Sequence, residues 1–270
     1  MDTPRSRFTA GLPGRGRGDR AGAEDLATGP ARTAPISVPV LEPDEVHIWH
    51  ARTDELATCD TALRPYLSPE ELARADRFRF RRDASRFLRR RWLLRRILAA
   101  YGADPATVTL PTGPNGKPSV IGAASLQFNA SSSGGLAVVA LARQHQVGVD
   151  VERLCAVADR DLLVRSTMTA AEQGALSSSP GEQQDVAFLR LWTVKEAFMK
   201  ALGTGLSLDP LRVESCSAGQ ERWTVSSADA GPPCTAVAVD VGPTHVASLA
   251  VPAGAATRLR VLAVTPRRLS

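Results

Sequence analysis

At 270 residues the chain has room for one large domain or two small ones, and its core must be mostly aliphatic, since 43% of residues are hydrophobic but only 5% aromatic. No window approaches the ~18 apolar residues that span a bilayer, no apolar run follows the N-terminal arginines, and Cys59, Cys155, Cys216 and Cys234 form no CxxC pair. These features exclude a membrane span, a secretory signal, a zinc site and a disulfide framework, and a cytoplasmic protein is expected. The net charge of +5 and a pI of about 9.4 suit anionic substrates or acidic partners, without separating nucleotides, nucleic acid and acidic proteins.

Residues 1–43 are rich in Gly, Pro, Ala, Arg and Thr and carry no hydrophobic period, which predicts a disordered tail. Order is expected from Val46–Ala51, a short strand, followed by a helix around Glu55–Leu63. Ser68-Pro69-Glu70-Glu71 has the spacing of a capping box with proline in the first turn, so a helix should run from there to Phe78. A longer helix is predicted over Asp83–Tyr101, with Phe87, Leu94, Ile97, Leu98 and Tyr101 on its apolar face and Gly102 as its stop. Between Arg74 and Arg96 there are eleven arginines and two acids.

Thr107–Leu110 reads as a strand, and Pro111–Pro118 (PTGPNGKP) as turn chemistry. Leu126–Asn129 and Leu136–Ala142 read as strands joined by a loop of three serines and two glycines, and Val147–Val151 as another. Helices are expected at 159–166, 169–176 and 183–202, the last ended by Gly203-Thr204-Gly205, and strands at 221–226, 235–241, 244–251 and 258–264. The order helix–strand–strand recurs in both halves. That suggests a duplicated α+β unit, with subdomains 44–145 and 146–270.

Two clusters carry chemistry. In Gly148-Val149-Asp150-Val151-Glu152 the period of two puts Asp150 and Glu152 on one strand face. Two carboxylates so placed either hold a hard cation such as Mg²⁺ or pair with arginines on a solvated edge. In Trp192-Thr193-Val194-Lys195-Glu196-Ala197-Phe198-Met199-Lys200, a helix puts Trp192, Glu196 and Lys200 on one face and Phe188, Leu191, Phe198 and Leu202 on another, buried one. Glu196 and Lys200 are then either a surface ion pair or a metal ligand and a phosphate contact.

Together and in this order, GVDVE at 148–152 and WTVKEAFMKALGTGL at 192–206 resemble the surfactin-synthetase-activating type of 4′-phosphopantetheinyl transferase. That family carries G-V/I-D-V/I-E followed by W-S/T-x-K-E-A/S-x-x-K-x-x-G-x-G-L. SPEELARADRF at 68–78, Gly116-Lys117-Pro118 and Phe128-Asn129-Ala130-Ser131 add to the likeness, which covers about 45–250. The resemblance implies two similar α+β subdomains about a pseudo-two-fold axis, with coenzyme A as co-substrate in the cleft between them. It implies transfer of phosphopantetheine to a serine of an acidic acyl, peptidyl or polyketide carrier protein, with release of 3′,5′-ADP, by a monomer.

By position, Asp150, Glu152 and Glu196 would hold Mg²⁺, and Glu196 could be base, ligand or both. Glu196 and Lys200 would be catalytic. Lys200 would contact phosphate with help from Lys195, Arg74 and Arg86 would meet the 3′-phosphate, and Lys117 and Ser131 would lie by the nucleotide. Two positions depart from the family. Ser132 stands where a histidine touching a coenzyme A phosphate is expected, which predicts weaker coenzyme A binding with the chemistry retained. Glu71 stands where relatives are often basic. A catalytically degenerate relative that binds coenzyme A or a carrier without transfer is the alternative that Ser132 raises. A nucleic-acid role for the arginine stretch leaves the three acids unexplained, so no nucleic acid and no membrane is expected as partner.

Overall fold

The computed structural model describes residues 36–56, 59–103, 126–219, 221–255 and 258–264, all within one compact unit, Thr33–Ser270. Strand β1 (Glu45–Arg52) is buried on both faces, as a strand covered on two sides must be. Val46 and Ile48 point one way, Trp49 and Ala51 the other. The predicted helix around Glu55–Leu63 is instead a 3-10 turn at Thr53–Glu55 and a single turn, α1 (Asp60–Leu63). Helix α2 (Pro69–Ala75) starts with the predicted capping box: Ser68 Oγ accepts from Glu71 N, and Glu71 returns a carboxylate to Ser68 N. Helix α3 (Arg81–Ala100) buries Phe87, Leu88, Trp92, Leu93, Leu94, Ile97 and Leu98, and Gly102 beyond it adopts φ +97°. The predicted strand at 107–110 and the turn at 111–118 lie outside the described residues.

Strands β2 (Gln127–Ser133) and β3 (Leu136–Ala142) form a tight hairpin. Gly134 and Gly135 alone make the turn, at φ +54° and +88°, a geometry only glycine adopts without strain. The three serines assigned to a loop therefore belong to β2. After β4 (Gly148–Arg153) come α4 (Arg160–Thr167), α5 (Ala170–Ser177) and α6 (Gln184–Leu202), then β5 (Val213–Ser217), β6 (Arg222–Ser227), β7 (Cys234–Ala238), β8 (His245–Pro252) and β9 (Arg258–Ala263). β5 was not foreseen, because its sequence VESCS buries Val213 alone and carries no apolar alternation.

The strands form two sheets, β2-β3-β1-β9 and β4-β8-β7-β6-β5. Helix α3 packs on the outer face of the first, against Trp49, Phe128, Val139 and Leu141. The inner faces meet through Val46, Ile48, Val138 and Ala140 on one side and Val149, Val151, Leu249 and Val251 on the other. Helix α6 covers the outer face of the second sheet, where Val194, Phe198 and Ala201 meet Val225, Ala236 and Ala250. The fold is thus α+β, with the plan of one sheet and one long outer helix used twice.

Two expected boundaries need correction. β9 comes from the C-terminal half yet pairs in parallel with β1, so the division at 145/146 does not separate the sheets cleanly. Ile36 and Leu41 are buried in the α3 core, with Val38 packed against it, so ordered packing begins before residue 44. The alternation of Ile36, Val38 and Val40 is interrupted by Pro39 and too short to set this segment apart from the tail.

Candidate active site

β2 and β4 are edge strands of different sheets, and they lie side by side with side chains as the rungs between them. Asn129 Oδ1 accepts from Val149 N at 2.9 Å. Ser131 Oγ donates to Asp150 Oδ1 at 2.7 Å, and Ser133 Oγ to Glu152 Oε2 at 2.7 Å. Ser133 Oγ also accepts from Arg153 N at 3.1 Å. The period of two that orders Asp150 and Glu152 on β4 therefore matches the one that orders Ser131 and Ser133 on β2.

Helix α6 closes the site from the other side. Lys200 Nζ donates to Asp150 Oδ1 at 2.5 Å and to Ser131 Oγ at 3.2 Å, and stands 3.8 Å from Glu196 Oε2 one turn away. Gly148 makes this approach possible. A Cβ there would lie 2.0 Å from the Ala197 carbonyl oxygen and 2.3 Å from Ala201 N, so only glycine lets β4 come this close to the helix backbone.

The electrostatics are those of crowded acids. Burial is the main cause raising the Glu152 carboxyl above the usual glutamate range; Asp150 adds to it, while Ser133 and Lys200 oppose it. Burial likewise raises Glu196, opposed by Lys200 and reinforced by Asp150 and Glu152. Asp150 is 3% exposed, and among the described residues its Oδ2 has no hydrogen-bond partner. An unsatisfied buried carboxylate oxygen is costly unless something cationic meets it. Among the described residues no group of three or more His, Cys, Asp or Glu side chains stands in metal-holding geometry. The donor set nevertheless fits a hard divalent cation: oxygens only, crowded enough to need one, with one oxygen left over.

The other expected site residues divide. Arg86 lines a pocket of about 260 Å³ but is held by Asp54, at 3.1 and 3.3 Å. Exposed Arg74 lies over the Phe87 ring, 5.3 Å from its centroid. Lys117 is outside the described residues. Lys195 is 0% exposed and its Nζ donates to Glu172 at 2.6 Å, while Glu172 also accepts from Thr169 N and Ser215 N. Lys195 therefore ties α5, α6 and β5 together in the interior, and the expectation that it contacts phosphate is corrected. The face assigned to α6 is corrected with it. From Thr193 to Met199 every residue is buried, while Leu191 and Leu202 are only half-buried, because this helix lies between neighbours and not on a surface.

Glu71, the second departure from the family, accepts from Arg91 Nε at 2.6 Å and Arg95 Nε at 2.9 Å. It neutralises arginines and leaves no uncompensated acid. The residue that sequence reasoning missed is Arg90. It donates to Ser132 Oγ and lines the same pocket as Arg86. A run of eleven arginines offered no means of choosing it.

A second pocket, of about 440 Å³, is bounded by Glu152, Leu163, Phe188, Leu189 and Trp192, and Ser133 lines both pockets.

Two family models match successive stretches of the chain. Residues 48–144 match the model of the N-terminal part of a 4′-phosphopantetheinyl transferase family, and residues 146–250 that of the 4′-phosphopantetheinyl transferase superfamily. The chain is 38% identical over 169 residues to the 4′-phosphopantetheinyl transferase HetI of Nostoc, a match covering 61% of this chain and 71% of the relative. It is 37% identical over 147 residues to the transferase psf-1 of Bacillus pumilus (54% of this chain, 61% of the relative). It is 28% identical over 180 residues to the transferase Sfp of Bacillus subtilis (66% and 79%). The site between β4 and α6 lies inside the matched stretch, and the chain belongs to the 4′-phosphopantetheinyl transferase superfamily.

Proposed function

We propose that this enzyme moves the 4′-phosphopantetheine of coenzyme A onto a serine hydroxyl of an acyl, peptidyl or polyketide carrier protein, with Mg²⁺ held by Asp150, Glu152 and Glu196. The observation that carries the reading is the convergence of those three carboxylates with Lys200, from one strand and one helix, around a buried carboxylate oxygen that has no partner among the described residues.

The serine oxygen forms a bond to the β-phosphorus of coenzyme A. The bond from that phosphorus to the bridging oxygen breaks, 3′,5′-ADP leaves, and the serine proton passes to Glu196, directly or through water. Bound Mg²⁺ would neutralise charge on the pyrophosphate. Lys200, with three donors, would turn one toward a phosphate oxygen while still steadying Asp150. Ser131 and Ser133 hold Asp150 and Glu152 in place, as hydrogen-bonding neighbours do for carboxylate ligands.

The two pockets that share Ser133 suit a long ligand: the arginine-lined one its phosphorylated end, the apolar one beside Glu152 the pantetheine arm and the approaching carrier. Exposed Arg77, Arg79 and Arg81 would steer an acidic carrier to the cleft. No helix among the described residues is long and apolar enough to cross a membrane; the cleft lies within one chain, which supports a monomer.

The test is intact-mass spectrometry of apo carrier proteins incubated with the enzyme, coenzyme A and Mg²⁺, with EDTA and Glu196→Gln controls. A metal-dependent gain of one phosphopantetheine is expected. No gain on any carrier type, with coenzyme A still bound, would reject transfer and leave a binding protein.

A further inference from the structure

Strand β2 divides the cleft. Ser131 and Ser133 reach the carboxylates of β4, and Ser132 between them turns the other way, to Arg90 on α3. Arg90 differs from its neighbours on that helix. Arg86 is bound to Asp54, Arg89 to Asp60, and Arg91 and Arg95 to Glu71. Among the described residues no carboxylate forms an ion pair with Arg90, which is half-buried and lines the 260 Å³ pocket with Arg86, Ser132 and the Gly134–Gly135 turn. Burial, and then the like charges of Arg74, Arg86 and Arg91, lower its pKa, with Asp83 opposing weakly. A guanidinium held against three others, in an open pocket and with a serine hydroxyl as its one bonded partner among the described residues, is short of an anion.

We propose that Arg90 determines specificity for the phosphate monoester of coenzyme A, gripping it on the face of β2 opposite the carboxylates. The inference rests on the transfer reading above. Coenzyme A carries two separate phosphate groups. Its pyrophosphate must lie by Glu196 and Lys200, where the bond is broken. The anion beside Arg90 is across the strand from them, so it is the other group, the 3′-monoester. The planar fork of Arg90 matches phosphate oxygens, and Ser132 Oγ supplies a further donor once its own bond is shared. The charge missing at position 132, where the resembled family has a histidine, thus arrives from α3 at position 90. The weaker coenzyme A binding expected from Ser132 is replaced by binding that depends on Arg90.

Calorimetry on the full chain with 3′,5′-ADP and 5′-AMP, together with transfer kinetics using coenzyme A and 3′-dephospho-coenzyme A, tests this. Wild-type enzyme should prefer each 3′-phosphorylated ligand. Arg90→Gln, which keeps an apolar stem, should weaken 3′,5′-ADP roughly ten- to hundred-fold, leave 5′-AMP unchanged, and raise KM for coenzyme A with kcat at saturation nearly intact. Arg90→Gln with Ser132→His should restore part of the discrimination. Equal weakening of both ligands, or no change in their ratio, overturns the proposal. If wild-type protein discriminates the two nucleotides through Arg90 yet transfers nothing to any carrier, the transfer reading fails and the Arg90 assignment stands.

Discussion

Lys200 Nζ lies 2.5 Å from Asp150 Oδ1 and 3.8 Å from Glu196 Oε2, so a single ammonium holds together carboxylates contributed by a strand and a helix. One cation among three acids is not full compensation. The raised basicity of Glu152 and Glu196 comes first from their burial, and the neighbouring carboxylates add to it.

That imbalance sets a pH dependence. A carboxyl whose pKa is raised on folding holds its proton in the folded state where the unfolded chain has released it. Its stabilising contribution is full below the ordinary glutamate pKa and is lost as pH rises through the folded value. With EDTA present, Tm should therefore fall between the ordinary glutamate range and neutral pH, and Mg²⁺ should restore more of it at the higher pH. Glu196→Gln should flatten this slope and melt about 2–4 °C higher at neutral pH, while transfer drops roughly 10²–10⁴-fold. Scanning fluorimetry across that range, with and without metal, measures it; an unchanged slope in the variant would show that Glu196 is under no electrostatic strain.

Gly148→Ala should cost stability and activity together. The added methyl meets backbone atoms of Ala197 and Ala201 at 2.0 and 2.3 Å, and backbone cannot rotate away, so α6 must move and carry Glu196 and Lys200 off Asp150. A loss of about 3 kcal/mol and a fall in transfer of about 10²-fold or more are expected. Gly174→Ala is the matched control. It sits inside α5 with nothing within 4 Å of the new methyl, and should stabilise by roughly 0.5–1 kcal/mol. Urea denaturation and turnover of both variants read the contrast.

Lys195→Met should destabilise by about 3–5 kcal/mol, because it leaves Glu172 buried without its cation. Lys195→Met with Glu172→Gln should recover much of that loss. Neither should change KM for coenzyme A in the folded fraction. A tenfold rise in that KM with stability intact would return Lys195 to the phosphate site.

What the sequence made legible was local or periodic. Ser68 and Glu71 are three residues apart, and a capping box needs nothing else. Asp150 and Glu152 share a face because strands alternate, and Glu196 and Lys200 are one helical turn apart. The rest depends on distant segments meeting. Ser132 and Arg90 are 42 positions apart, and nothing local distinguishes that arginine from ten others. The inward turn of Lys195 was hidden because α6 is covered nearly all round, which removes the polar stripe that would have exposed it. Serines 131–133 read as loop by composition, yet become strand because two glycines suffice for the turn and β4 offers each outward serine a partner.

β9 carries a consequence for how the molecule is made. Its pairing with β1 joins the first strand of the described chain to the last, and Arg258 meets Asp44 across 214 positions. During synthesis β5 to β8 can pair in turn as they emerge, and β4 joins that sheet once β8 is out. The first sheet must wait with β1 open along one edge until residue 263 is free. Such long-range parallel closure is slow, and an uncovered edge of this kind invites strand addition from another chain. The nascent enzyme is therefore most exposed to misassembly in the interval after α6 is complete and before β9 docks.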